Sequence, residues 1–193
     1  MEAGVQDGRL HLIPRAEIVA HWPVAALLCA LVFAAIGPVT WRLLPPETFL
    51  TLAQLPLYMA HQVEEHANDR FRRFVNARFG ADALTPAAVA VINLPGVWGV
   101  ILLAFALGAL VHPGLGLAAP YLSVVNAITH VGAAIAWRGS NPGLVSAVAL
   151  LLPGGALAIA VIPAQPWHHA LALAVALAIH AAIVVHVRRR AHG

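Results

Sequence analysis

Lysine is absent from this chain of 193 residues, and only 10% of the residues are charged. An ordinary soluble domain carries about 25% charged residues, so a water-exposed globule is excluded. Cysteine occurs once, at Cys29. That rules out an intrachain disulfide, and its setting in an apolar run reads as packing. A long polar insert, a low-complexity tail and an internal repeat of about 20 to 50 residues are all missing, which leaves one domain and no solenoid. The basic residues are all arginine and gather at the ends of apolar runs. This is a topology signal, and no nucleic-acid partner is expected.

What is present in quantity is apolar: 61% of the chain is hydrophobic. The expected fold is an all-α, polytopic membrane helix bundle forming a single domain over residues 1–193. About six transmembrane helices are expected, at about 17–44, 47–68, 86–111, 117–137, 142–162 and 168–187. Residues 1–15 read as a short polar lead. The first span is longer than a signal-peptide core and no clean cleavage site follows it, so it reads as an uncleaved helix. Breaks or kinks are expected at Pro56, at Asn93-Leu94-Pro95-Gly96 and at Pro153-Gly154-Gly155.

Six spans place every arginine except Arg42 on one side of the membrane, together with both termini. By the positive-inside rule that side is the cytoplasm. Lysine-free, alanine-rich usage fits a GC-rich bacterial genome, so the expected location is the bacterial inner membrane, multi-pass, with both termini cytoplasmic. Membrane lipids are the expected partners, and nothing in the sequence sets an oligomeric state. Trp22, Trp41, Trp98, Trp137 and Trp167 read as interfacial belt residues.

One run stands apart: His61-Gln62-Val63-Glu64-Glu65-His66. Ionisable groups inside a span are expensive and mark functional sites. On a helix of 3.6 residues per turn, His61, Glu64 and Glu65 share a face. Gln54, Tyr58 and Asn68 extend that face into a stripe of roughly 120°, whereas His66 falls about 140° from His61 and is expected outside the cluster.

Two adjacent carboxylates in a low-dielectric site need a retained proton or a cation beside them. The candidate cations are a metal ion, protonated His61 or His130, or Arg70 reaching back. At 1.5 Å rise per residue, His61, Glu65, His130, His180 and Asn93 all lie about 8 to 13 Å from the arginine-rich ends of their helices. A shared polar centre is therefore allowed. Imidazole and carboxylate donors suit zinc or iron, so His61, Glu65 and His130, with His180 as a fourth, are the candidate metal ligands. Glu64 is the candidate general base on water, and Asn126 or Asn93 the candidate to polarise a substrate. Compared with the inverted zinc motif H-x-x-E-H, the second histidine is replaced by Glu65, which keeps the i,i+4 spacing and changes the ligand.

In the motif His61 to Glu65 the sequence resembles the bacterial HXXEE-domain family of small membrane proteins. The resemblance implies a further family histidine at His130. It also implies a Y-x-P-G motif, which falls on Ser140-Asn141-Pro142-Gly143 with serine in place of tyrosine. It covers most of the chain from the motif helix to the fifth span and implies no activity. The leading expectation is a metal-dependent, hydrolase-like enzyme acting on a lipid or isoprenoid-type substrate. The alternatives are a proton- or ion-coupled transporter using the glutamate pair and His130 as a relay, and a non-catalytic binding or assembly protein.

Overall fold

The computed structural model describes the backbone of residues 15–80 and 83–191, with side chains from Trp22 onward. The polar lead up to residue 14 and His192 lie outside the described residues. Among the described residues all regular structure is helical. The long helices are α1 (Arg15–Leu43), α2 (Pro46–His66), α4 (Pro86–Leu110), α5 (Pro113–Ala136), α6 (Leu144–Val161) and α7 (Pro166–Ala191), and one short helix, α3 (Arg70–Phe79), joins α2 to α4.

Five of the long helices, α1 (from Trp22), α4, α5, α6 and α7, are long and apolar enough to cross a membrane. The exception is α2, whose hydropathy is lowered by its own polar stripe. Its place explains that stripe: α2 packs against α1, α4, α5 and α6, and it buries Thr51, Gln54, Tyr58, His61, Gln62 and Glu65. Leu28 and Leu31 of α1, Leu103 and Leu110 of α4, Ile135 of α5 and Leu157 of α6 are exposed instead. A bundle that is polar along its axis and apolar outside suits hydrocarbon as its solvent. Alanines at the contacts, among them Ala26, Ala104, Ala127, Ala158 and Ala176, are buried and let the helices approach closely.

Two breaks fall close to the expected places, whereas α2 runs as uninterrupted α-helix through Pro56. The turn of α4 over Ile92–Trp98, around Pro95, is π-helical, and so is Ala147–Leu151 in α6, just before Pro153. Such bulges accumulate at functional sites. The C-terminus of α2 departs from expectation, because Ala67 is extended at ψ 133 and Asn68 and Asp69 take φ 55 and 60. Asparagine and aspartate tolerate that left-handed region. The chain therefore leaves the helix after His66, and Asn68 is not on the polar stripe. It turns into α3, which carries Phe71, Phe74 and Val75 toward the bundle while Arg70 and Arg73 stay exposed.

Candidate metal centre

Three of the expected ligands meet. His61 and Glu65 come from one face of α2 and His130 from α5; His61 is 0% exposed, His130 6% and Glu65 7%. Their donor atoms all lie within 4.8 Å of one another. His61 Nε2 is 3.4 Å from Glu65 Oε2, and His130 Nε2 is 3.4 Å from Glu65 Oε1. The two imidazole rings stand nearly perpendicular, at 82° with centroids 4.9 Å apart.

The surrounding hydrogen bonds decide which nitrogen of each ring is free. Ser146 Oγ donates to the carbonyl of Gly143 at 3.3 Å, so it accepts from His61 Nδ1–H at 3.0 Å. Asn141 Nδ2 donates to the carbonyl of His130 at 2.9 Å, which turns Asn141 Oδ1 to accept from His130 Nδ1–H at 2.6 Å. These bonds favour a proton on Nδ1 of each ring and turn Nε2 toward the carboxylate. A second group holding the far nitrogen of a histidine is the usual support of a metal ligand.

With Nε2 of each neutral ring turned to a carboxylate, acceptors oppose acceptors, and either a metal ion or a second proton on a ring relieves the opposition. Two donors about 2.1 Å from a tetrahedral ion lie about 3.4 Å apart. His61 keeps that separation from Glu65 Oε2, and His130 keeps it from the other oxygen of the same carboxylate, Oε1. The His61, Glu65 and His130 group could thus hold a metal ion.

Asn126, one turn before His130, joins the centre: its Nδ2 donates to His61 Nε2 at 3.0 Å. Its Oδ1 lies 3.3 Å from His180 Nε2, while His180 Nδ1–H donates to the carbonyl of Ala176 at 2.8 Å. His180 thus reaches the triad through Asn126 and is not one of the three grouped donors. Turning the Asn126 amide would satisfy His180 and set an oxygen against the His61 lone pair instead. In either orientation one acceptor faces another.

Glu64 and Asn93 go elsewhere. Glu64 Oε2 accepts from the backbone N–H of Ser146 at 2.7 Å, and Oε1 from that of Val145 at 3.4 Å. A carboxylate at the first turn of α6 is favoured by the unpaired N–H groups there. Arg70 donates to the backbone carbonyl of Glu64, not to either carboxylate. Asn93 donates to the carbonyl of Val89 at 2.8 Å and accepts from Gln62 Nε2 at 2.9 Å, and Gln62 Oε1 accepts from Trp98 Nε1 at 2.7 Å. This network ties α2 to the bulge of α4, and Asn93 still reaches the cavity wall.

Several participants were not foreseen in the sequence. His66, placed outside the cluster by its helical angle, has Nε2 3.0 Å from Glu65 Oε2, yet out of line for a hydrogen bond. It is buried against Trp22, at 4.9 Å between ring centroids. Trp22 is thus buried inside the bundle, behind His66. Gly143 sits at φ 90, where a Cβ would come 2.7 Å from His61 Cε1 and 2.9 Å from His130 Cε1. Asn141 and Gly143 belong to the Ser140-Asn141-Pro142-Gly143 loop, whose motif match was the one signal for them.

The centre opens on a cavity of about 290 Å³ whose wall includes Tyr58, Glu65, Asn126, His130, His180 and Trp137. Among the described residues, Glu65 is the one carboxylate on that wall.

Residues 52–158 match a protein family described as a protein of unknown function with HXXEE motif. The matched stretch takes in the two histidines, Glu65 and the Asn141–Ser146 supports, and leaves out α7 with His180. No curated protein and no solved structure matches the chain.

Proposed function

The chain belongs to the HXXEE family, whose description carries no activity, and we propose from its own chemistry that it is a metal-dependent, hydrolase-like membrane enzyme acting on a lipid or isoprenoid-type substrate. One observation carries this reading: two imidazoles, each fixed by a bond to its far nitrogen, turn Nε2 to one carboxylate on the wall of an apolar cavity. His61, Glu65 and His130 would hold the ion. Two imidazoles and a carboxylate are a donor set that zinc and iron both accept, with zinc the choice for hydrolysis. When bound, the ion supplies Lewis acidity toward a carbonyl or phosphoryl oxygen.

The remaining steps fall to the chain's own side chains. Hydrolysis adds one water across an ester or phosphoester, with hydroxyl going to the acyl or phosphoryl centre and the proton to the leaving oxygen. Asn126, whose amide donates to His61 Nε2, would turn that N–H to a substrate oxygen. We assign the proton exchange to His180, a residue of the cavity wall whose Nδ1–H is taken by Ala176 and whose Nε2 stands 3.3 Å from Asn126 Oδ1. Glu64 is engaged by α6 and serves to hold the Gly143–Ser146 turn beneath the two rings. By the arginine distribution, the site opens toward the cytoplasmic face of a bacterial inner membrane.

The test is turnover by metal-loaded protein in liposomes offered a panel of lipid esters and phosphoesters in oxygen-18 water. Label in a released product, lost on chelation and restored by zinc, is expected. A fully loaded, folded protein that releases nothing from the panel would remove the hydrolytic reading.

One feature favours a second reading, a proton-coupled transporter: Glu65 touches three histidines, His61, His66 and His130. Flux driven by a pH gradient in metal-free proteoliposomes, abolished by Glu65→Ala, would select it.

A further inference from the structure

The cavity extends well beyond the three ligands. Along α5 its wall runs from Leu122 to Trp137, about 22 Å of helix at 1.5 Å per residue. His130 lies on the same wall, about 12 Å from Leu122 and about 10 Å from Trp137. The reactive centre therefore stands midway along a slot that follows the helix axes.

The two ends differ in chemistry. Toward the middle of the bundle the wall is Leu122, Val97 and Ile179. Toward the arginine-rich end it is the inner face of α3, with Phe71 and Phe74, together with Trp137 and Arg188. Arg78 adds a second guanidinium there, 3.6 Å over the Phe74 ring and 5.2 Å from the Trp137 ring. An amphipathic helix that turns aromatic residues inward and arginines outward is the form of an interfacial helix, and arginines in that setting attract anionic headgroups. The volume, about 290 Å³, sits at the low end of small-molecule sites, which span about 300 to 1,000 Å³. One chain fits such a space better than two.

We propose that the slot takes a single-chain anionic amphiphile, with its tail among Leu122, Val97 and Ile179 and its headgroup between Arg188 and Arg78. The bond joining head to tail then lies against Glu65 and His130, with His61 behind them. This names a substrate class for the reading given above and rests on it. The charge pattern supports an anion: Glu65 is the one carboxylate on the described wall, its charge would be offset by the metal ion of the reading above, and the outer end is cationic.

The probe is dodecyl phosphate, titrated into metal-loaded protein in phosphatidylcholine nanodiscs, with bound probe counted by native mass spectrometry and metal counted on the same samples. Inorganic phosphate and the zwitterionic dodecylphosphocholine serve as comparisons. One saturable dodecyl phosphate per chain is expected, bound at least about tenfold more tightly than either comparison. Ala133→Trp, which fills the slot between His130 and Trp137, should remove probe binding and leave metal content unchanged. Arg188→Glu should weaken dodecyl phosphate about tenfold and leave dodecylphosphocholine unaffected. Non-saturable uptake, equal binding of inorganic phosphate, or full binding by Ala133→Trp would overturn the inference. Metal-bearing protein that ignores the probe rejects the slot while leaving the metal centre intact. Metal-free protein that still binds one probe supports the slot and rejects the metal reading.

Discussion

Gly143→Ala adds a single methyl group where the two ligand rings meet. Its carbon would stand 2.7 Å from His61 Cε1, 2.9 Å from His130 Cε1 and 3.2 Å from Glu65 Cβ. Ordinary carbon contacts are about 3.5 to 4.0 Å, so both rings must recede by roughly 0.6 to 1.3 Å. Ligand positions in a working metal site are held to about 0.2 Å. The residue also sits at φ 90, where a side chain costs about 1 to 2 kcal/mol, and overpacking adds about 1 to 3 kcal/mol. The variant should fold at reduced stability and bind zinc at least about 10- to 100-fold more weakly. Affinity is read by competition with a chromophoric chelator in detergent, at a temperature where tryptophan fluorescence and gel filtration show the variant folded. Gly80→Ala is the control, because Gly80 has φ 123 and no described atom within 4 Å of its Cβ position. At φ 123 and ψ 153 it carries backbone strain at least as large, with no ring to displace, and its zinc affinity should match the native protein. A Gly143→Ala protein with native zinc affinity, or equal losses in the two variants, would refute the account of this loop.

Asn141→Ala removes both bonds to His130, and Ser146→Ala leaves His61 Nδ1–H buried without a partner. Each should cost about 1 to 3 kcal/mol of stability and about 10- to 100-fold in metal affinity, by thermal melts and the same chelator assay. Glu64→Gln keeps an oxygen for the Ser146 N–H, so metal content should be native and stability lower by about 1 kcal/mol. Loss of its metal would show that Glu64 acts at the ion. Gln62→Leu orphans Trp98 Nε1 and Asn93 Oδ1, and a drop of about 1 to 3 kcal/mol in unfolding free energy is expected, with metal binding kept.

Helix number and the His61, Glu65 and His130 grouping were legible because both follow from periodicities. Apolar runs of bilayer length define the long helices, an i,i+4 spacing puts His61 and Glu65 on one face, and similar depths allow His130 to meet them. The supports of the site were not legible in that way. His66 reaches Glu65 at the very end of α2, where a regular helical angle no longer fixes direction, since the chain breaks at Ala67. Glu64 shares the face of His61 by angle, yet the first-turn N–H groups of α6 draw its carboxylate away. No arithmetic within α2 contains the position of α6. Asn141, Gly143 and Ser146 act through a loop whose path depends on how α5 and α6 pack, and only the short match at 140–143 pointed there. The breaks of α4 and α6 were signalled by proline and glycine, but that they would take π form was not.

The central claim is that His61, Glu65 and His130 hold a metal ion, and elemental analysis tests it most directly. Protein purified in detergent without chelator and without an affinity tag of histidines would be measured beside Glu65→Ala and His130→Ala. Near one equivalent of zinc or iron in the native protein, absent from both folded variants, is the predicted result. A folded native protein that holds no metal, and takes up none from buffered zinc or ferrous iron, would contradict it.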